Sequence, residues 1–196
     1  YAEARRVTLH TLLHGLQCWL EADPARPFFT LFTDQHKKLL GDNPDARYYS
    51  AVIDDQHGYR IRGNLAGATY TSFTIELAAG TEGGGIGSTL NDTQFKADKN
   101  GDYEIIVSAE KVDGNWLPMS KGATSLTTRH YYEREQCINN DRLHHIPIDI
   151  QNLQKVPPRR SPNDADIAAG IRRVTAFVKG NVIPMNGENS LPWVSR

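Results

Sequence analysis

A chain of 196 residues is long enough for one full domain with its own core, or a domain plus an arm. Charged residues make up 23% and hydrophobic ones 39%, ordinary values for a water-exposed globular chain. The formal net charge of −1 leaves no basic excess for a nucleic-acid partner, and no apolar run approaches the roughly 20 residues of a membrane span.

Ala2 to Ala22 reads as an amphipathic helix. Leu9, Leu12, Leu13, Leu16, Trp19 and Leu20 recur at three- and four-residue spacing and are expected to cover a sheet face or to pack on something outside this chain. Gly15 weakens an exposed helix by roughly 1 kcal/mol, and Asp23-Pro24 with Pro27 ends it. His10 and His14 stand at i and i+4, but Thr11 occupies the place of a zinc-protease glutamate and no third ligand follows. No metal site and no cofactor is expected. Cys18 and Cys137 are expected to stay free thiols, which leaves the compartment, cytoplasmic or periplasmic, open. Thr33-Asp34 caps a short predicted helix, Gln35 to Leu40.

Three strands follow: Arg47 to Ile53, Tyr59 to Gly63 and Thr69 to Leu77, the last with strict period-two alternation. The gaps, Asp54 to Gly58 and Asn64 to Ala68, fit hairpin connections and predict a β-meander. Ala79 to Ser88 carries five glycines but lacks the lysine and following helix of a phosphate loop, so it reads as a flexible hairpin or lid. Thr93 to Ala97, Tyr103 to Ser108, Ser125 to Tyr132 and Arg142 to Ile150 continue the β pattern, with a tight turn at Asp98-Lys99-Asn100-Gly101. Short strands at about ten-residue intervals mark a sandwich or barrel.

The organisation expected is a helical N-terminal arm over 1–40, an antiparallel β-domain over 41–150, a Pro-rich linker over 151–162, and a C-terminal helix and tail over 163–196. In that helix Ile167, Ile171, Val174 and Val178 form an apolar face. Covering four such side chains is worth roughly 6–10 kcal/mol. With Trp193 beyond it, the face is expected to bury on another domain or protein chain, and the natural polypeptide to continue past Arg196.

LGDNPDARYYSAVID and YRIRGNLAGATYTSFTIE, with DKNGDYEIIVS, GNWLPM and RHYYERE, resemble a bacterial family known as domain of unknown function 1214, often joined to domain of unknown function 1254. The resemblance covers roughly residues 34 to 145. It implies a mainly β fold with flanking helices, an antiparallel β-sandwich of jelly-roll type. It carries over no catalytic set.

Two polar clusters are candidate ligand-binding groups. In the first, Tyr48, Tyr49, Arg60, Arg62 and Asn64 surround the central strands; alternation puts both arginines on one face, where they hold an anion or pair with Asp54, Glu76 or Glu104. In the second, Arg129 and Tyr131 flank His130, a residue type suited to acid–base work, but no nucleophile motif accompanies them. His144 and His145, adjacent in a predicted strand, point to opposite faces. The catalytic residues are therefore unassigned. The leading expectation is a non-catalytic binding or interaction module for a small anionic or extended ligand, or a protein partner. The alternatives are a hydrolase or lyase sharing its site with a second domain, and a structural subunit docking through its helices.

Overall fold

The computed structural model describes residues 2–77 and 85–186, with the backbone alone for 183–186. The polypeptide forms α1 (Ala2–Trp19), β1 (Thr30–Leu31), β2 (Ala46–Val52), β3 (Tyr59–Asn64), β4 (Tyr70–Leu77), β5 (Gly85–Asn91), β6 (Asp102–Ser108), β7 (Trp116–Pro118), β8 (Ala123–Tyr131), a 3-10 turn (Ile138–Asn140), β9 (Ile148–Asn152) and α2 (Asp164–Asn186). Two sheets face each other, one ordered β1-β2-β8-β4-β5 and the other β7-β6-β3-β9. This is a β-sandwich with flanking helices.

The three central strands form where their alternation places them, but not as a meander. β2 and β4 both pair with β8, while β3 lies in the opposite sheet between β6 and β9. The five-residue gaps therefore cross between sheets. Asp54 shapes the first crossing: its carboxylate accepts from the Gln56 and His57 amides, and Tyr59 Oη donates to it at 3.3 Å. Crossing lets each strand turn its alternate residues into one shared core, where Ile61 and Ile105 of one sheet meet Phe73, Ile75 and Leu126 of the other.

Among the described residues one pair departs from antiparallel order, for β7 runs parallel to β6. Asn115 makes this possible by donating to the Lys96 and Glu104 carbonyls, anchoring the returning chain at the start of β6. Pro118, lacking an N–H, ends β7 at the sheet edge. Gly85 to Ser88, expected as loop, belongs to β5, and the rest of that glycine segment up to Gly84 lies outside the described residues. Thr93 to Ala97 forms no strand. Gln35 to Leu40 forms turns rather than a helix, with Leu40 at φ 52°. The Asp98–Gly101 turn is present, with Gly101 at φ 86°.

Both helices cover the outer face of the five-stranded sheet, where Val52 of β2 packs with Cys18, Trp19, Leu39, Val174 and Phe177. The buried side of α1 is Thr11, His14, Gly15, Cys18 and Trp19. The leucine row expected there points outward instead, with Leu9 63% and Leu13 47% exposed. Gly15 explains the choice. An added Cβ would lie 3.1 Å from Val174 Cγ1, so the glycine lets α2 approach closely. Val174 and Phe177 thus find their cover within the chain, while Ile167 and Ile171 stay exposed. Asn163 starts α2 by accepting from the Asp166 amide, and Arg160 grips the Asp166 carboxylate with two hydrogen bonds of 2.6 and 2.9 Å. The linker is pinned as well, through Arg159 to Glu21 at 3.1 Å and Arg26 to the Pro157 carbonyl.

Candidate functional site

Alternation along three neighbouring strands builds the site floor. With Phe73, Ile75, Ala51 and Leu126 turned into the core, the other side of the sheet carries Tyr48 and Ser50 on β2. Beside them stand Ser125, Thr127, Arg129 and Tyr131 on β8, and Ser72, Thr74 and Glu76 on β4. The register aligns them in rows: Tyr48, Arg129 and Ser72, then Ser50, Thr127 and Thr74. Trp19 and Phe177 of the helices, Phe32, and the Leu39–Asp42 turn wall this floor into a cleft of about 560 Å³.

Arg129 is fixed from both sides. Its Nη1 donates to Thr74 Oγ1 at 2.9 Å, and its Nη2 lies 3.6 Å from Glu76 Oε1. Tyr48 Oη accepts from the Asn43 amide at 3.1 Å and stands 3.4 Å from Tyr131 Oη. Burial, reinforced by the Tyr131 hydroxyl, pushes Tyr48 up to about 12, so it stays a neutral donor. Tyr131 meets Tyr48 and Tyr70 edge-on at centroid distances of 6.3 and 5.7 Å, a row of three rings across three strands. Ser50, Ser125 and Thr127 are buried and line the cleft, and among the described residues their hydroxyls take no hydrogen-bond partner.

Of the sequence candidates, the cleft brings Tyr48, Arg129 and Tyr131 together. The remainder lie elsewhere. Arg60 and Arg62 share an outer face of the other sheet and both reach Glu104, at 3.5 and 2.8 Å. Asn64 donates to Asn100 O and Asp102 Oδ1, which makes it a turn clamp. Tyr49 points inward and packs with Tyr132, Ile138 and Ile146. His130 is fully buried beside Thr71 and Thr128, its pKa lowered to about 4 mainly by burial. His144 and His145 precede β9 rather than lying in it, and both line one cavity instead of facing apart. Cys18 and Cys137 are free thiols.

Glu76, Thr74 and the three unbonded hydroxyls were missed as site residues. Their signal was present: small hydroxyl residues on the polar phase of β2, β4 and β8, where an uncovered sheet face usually shows long charged side chains. Among the described residues no cluster of three or more metal-ligating side chains occurs, and no helix is long and apolar enough to cross a membrane.

No protein-family model matches the chain, and no curated protein matches it significantly. Solved structures do. An uncharacterised protein from Burkholderia cenocepacia superposes with a TM-score of 0.80 over 92% of this chain at 23% identity. The chain spans half the length of that protein. The VPA0106 protein from Vibrio parahaemolyticus aligns over 67% of this chain and 31% of its own, at 20% identity and a TM-score of 0.41, too low to bear on the fold. The Burkholderia likeness shows the fold alone: a helix-flanked β-sandwich that recurs in a bacterial protein about twice as long.

Proposed function

We propose that this chain is a bacterial member of the family it resembles and that its domain is a binding module for a small polyhydroxylated ligand, a sugar or polyol. The observation that carries this is the floor of the cleft, where the unbonded hydroxyls of three buried residues adjoin the Arg129–Glu76 pair beside tyrosine rings packed edge-on. A guanidinium and a carboxylate side by side offer donors and acceptors at the spacing of neighbouring hydroxyls. Tyrosine rings suit the C–H faces of a sugar ring. A small anionic ligand, expected at Arg60 and Arg62, is disfavoured in this cleft, because Glu76 neutralises Arg129 and Asp42 adds a further carboxylate, itself paired with Lys38 at 3.2 Å. The hydrolase or lyase alternative gains nothing from a cleft whose tyrosine is held protonated and whose Glu76 is engaged by Arg129.

Saturation-transfer NMR with a panel of monosaccharides, disaccharides and polyols tests the reading. Transfer to at least one of them is expected, with strong loss in Tyr131→Ala and Arg129→Leu. No transfer from any panel member, or equal transfer in both variants, refutes it. The exposed Leu9–Leu16 row with Ile167 and Ile171 supports a second reading, in which the helix pair also docks on another domain or chain. Light scattering that shows the same monomer for the wild type and for Leu12→Glu/Leu16→Glu counts against self-association by that row.

A further inference from the structure

A second cavity, of about 540 Å³, opens on the opposite face of β2 from the cleft. Arg47 of β2, the 34–36 turn, Asn139 of the 3-10 turn, and Arg142, His144 and His145 surround it. Its charge balance differs from that of the cleft. Arg47 and Arg142 are permanent cations and three histidines stand beside them. Asp34 is the one carboxylate among the lining residues, and its Oδ1 already accepts from the His36 amide at 2.7 Å.

The walls hold polar atoms with nothing to bond. Asn139 is 3% exposed, and neither its amide nitrogen nor its amide oxygen has a partner. Arg47 is 4% exposed; it donates through Nη2 to the Asp141 carbonyl, while its Nε is unpaired. Buried polar groups are almost always satisfied, and leaving one unpaired costs about 1–3 kcal/mol. Three such atoms on two side chains of one cavity mark a place shaped for an occupant. The surrounding groups are held in position for it. Arg142 donates to His36 Nε2 at 2.9 Å. His144 Nδ1 faces Arg134, which can only donate, so His144 Nε2 carries the proton and donates to Tyr132 Oη at 2.8 Å.

We infer that this cavity binds a phosphoryl group, as inorganic phosphate or a small phosphate monoester. The orphan atoms set the chemistry: Arg47 Nε and Asn139 Nδ2 need an acceptor, whereas Asn139 Oδ1 needs a donor. A protonated phosphoryl group supplies both from one tetrahedral centre, its charged oxygens accepting and its P–OH donating. Sulfate offers the same shape and charge without a proton to give near neutral pH. A simple carboxylate gives acceptors alone. Arg142, exposed at the mouth, supplies the further positive charge.

The test is calorimetric titration at pH 6.5 and fixed ionic strength with phosphate, glycerol phosphate, sulfate and lactate, on wild type and two variants. Arg142→Ala removes an exposed charge and should weaken phosphate binding by about tenfold. Asn139→Asp keeps the shape, loses the amide donor and places a negative charge against the ligand, and should abolish binding; a thermal melt confirms that it folds. Phosphate or its monoester should bind more tightly than sulfate and lactate. The inference is overturned by no phosphate binding in the wild type, by unchanged binding in a folded Asn139→Asp protein, or by sulfate or lactate binding as tightly. Tyr131→Ala in the cleft should leave phosphate binding unchanged, so the two sites succeed or fail separately.

Discussion

Gly170 of α2 sits against the backbone carbonyl of Leu20, one residue past α1, so closely that a Cβ there would overlap the oxygen. Arg173, one turn further along α2, donates to the Trp19 carbonyl at 3.1 Å and reaches Leu20 O at 3.4 Å, which locks the same junction. Alanine raises helix propensity by about 1 kcal/mol over glycine, but overpacking costs about 1–3 kcal/mol, and a backbone carbonyl cannot rotate aside as a side chain does. Gly170→Ala should therefore destabilise by about 2 kcal/mol. Gly15→Ala meets Val174 and Phe177 side chains at 3.1 and 3.4 Å and should stay within about 1 kcal/mol of wild type. Urea denaturation compares them, and a Gly170→Ala loss no larger than that of Gly15→Ala refutes the close-packed junction.

Glu104 holds two arginines, yet all three side chains are open to solvent. Exposed ion pairs are worth about 0–1 kcal/mol. Glu104→Ala should lower stability by no more than about 1 kcal/mol and leave saccharide and phosphate binding unchanged. Loss of either ligand in that variant would place a binding role on the β3–β6 face.

Glu76→Gln removes the charge that neutralises Arg129 while keeping the side-chain shape. The cleft of the variant should gain affinity for small carboxylates, by about tenfold, or roughly 1.4 kcal/mol, once Arg129 is released from its ion pair. Titration with acetate or gluconate measures it. Equal carboxylate affinity in wild type and variant would show that Glu76 does not control the charge of the site.

His14 and His130 are fully buried, and burial is the largest cause lowering each to about 4. His14 stands against Phe32 at a ring distance of 4.5 Å, with both its nitrogens unpaired. A histidine whose folded pKa lies below its unfolded value of about 6.5 binds its proton more readily when the chain is unfolded. Stability from this source is complete above about pH 6.5 and is lost as the pH falls toward 4. A tenfold change in proton affinity is worth about 1.4 kcal/mol, so the two rings together withdraw several kcal/mol across that range. Urea midpoints from pH 7 to 4 should fall steeply, and His14→Leu should flatten the curve. A curve of unchanged slope in His14→Leu would show that this ring does not titrate with unfolding.

The sequence showed where the strands are better than where they go. The alternation Tyr70-Thr71-Ser72-Phe73-Thr74-Ile75 placed β4 to within a residue, because a two-faced environment writes itself into every second side chain. Pairing left no such trace. The gaps 54–58 and 64–68 have the length and glycines of hairpins, and a crossing between sheets uses the same residues. The face of α1 misled for a related reason. Periodicity reveals an apolar row, but docking followed Gly15 and the smaller side chains at Thr11 and Cys18, which allow closer approach than leucine does. Tyr48, Arg129 and Tyr131 were legible as polar strand residues. Asn139 and Arg47 were not, since an unpaired buried amide or guanidinium exists only once remote segments have enclosed it.

The position of β8 between β2 and β4 has a consequence for how the chain is made. Residues 46–77 supply two of the longest strands, yet neither has its main ladder until residues 123–131 arrive, because Tyr48 pairs with Arg129 and Phe73 with Thr128. A ribosome that has released β2, β3 and β4 holds three strands whose main partners are still to be synthesised. Contacts this distant in sequence close slowly, and exposed strand edges invite association in the interval. Nascent chains halted before Ala123 should therefore remain protease-sensitive and need chaperone cover, and chains extended past Tyr131 should become protected in one cooperative step.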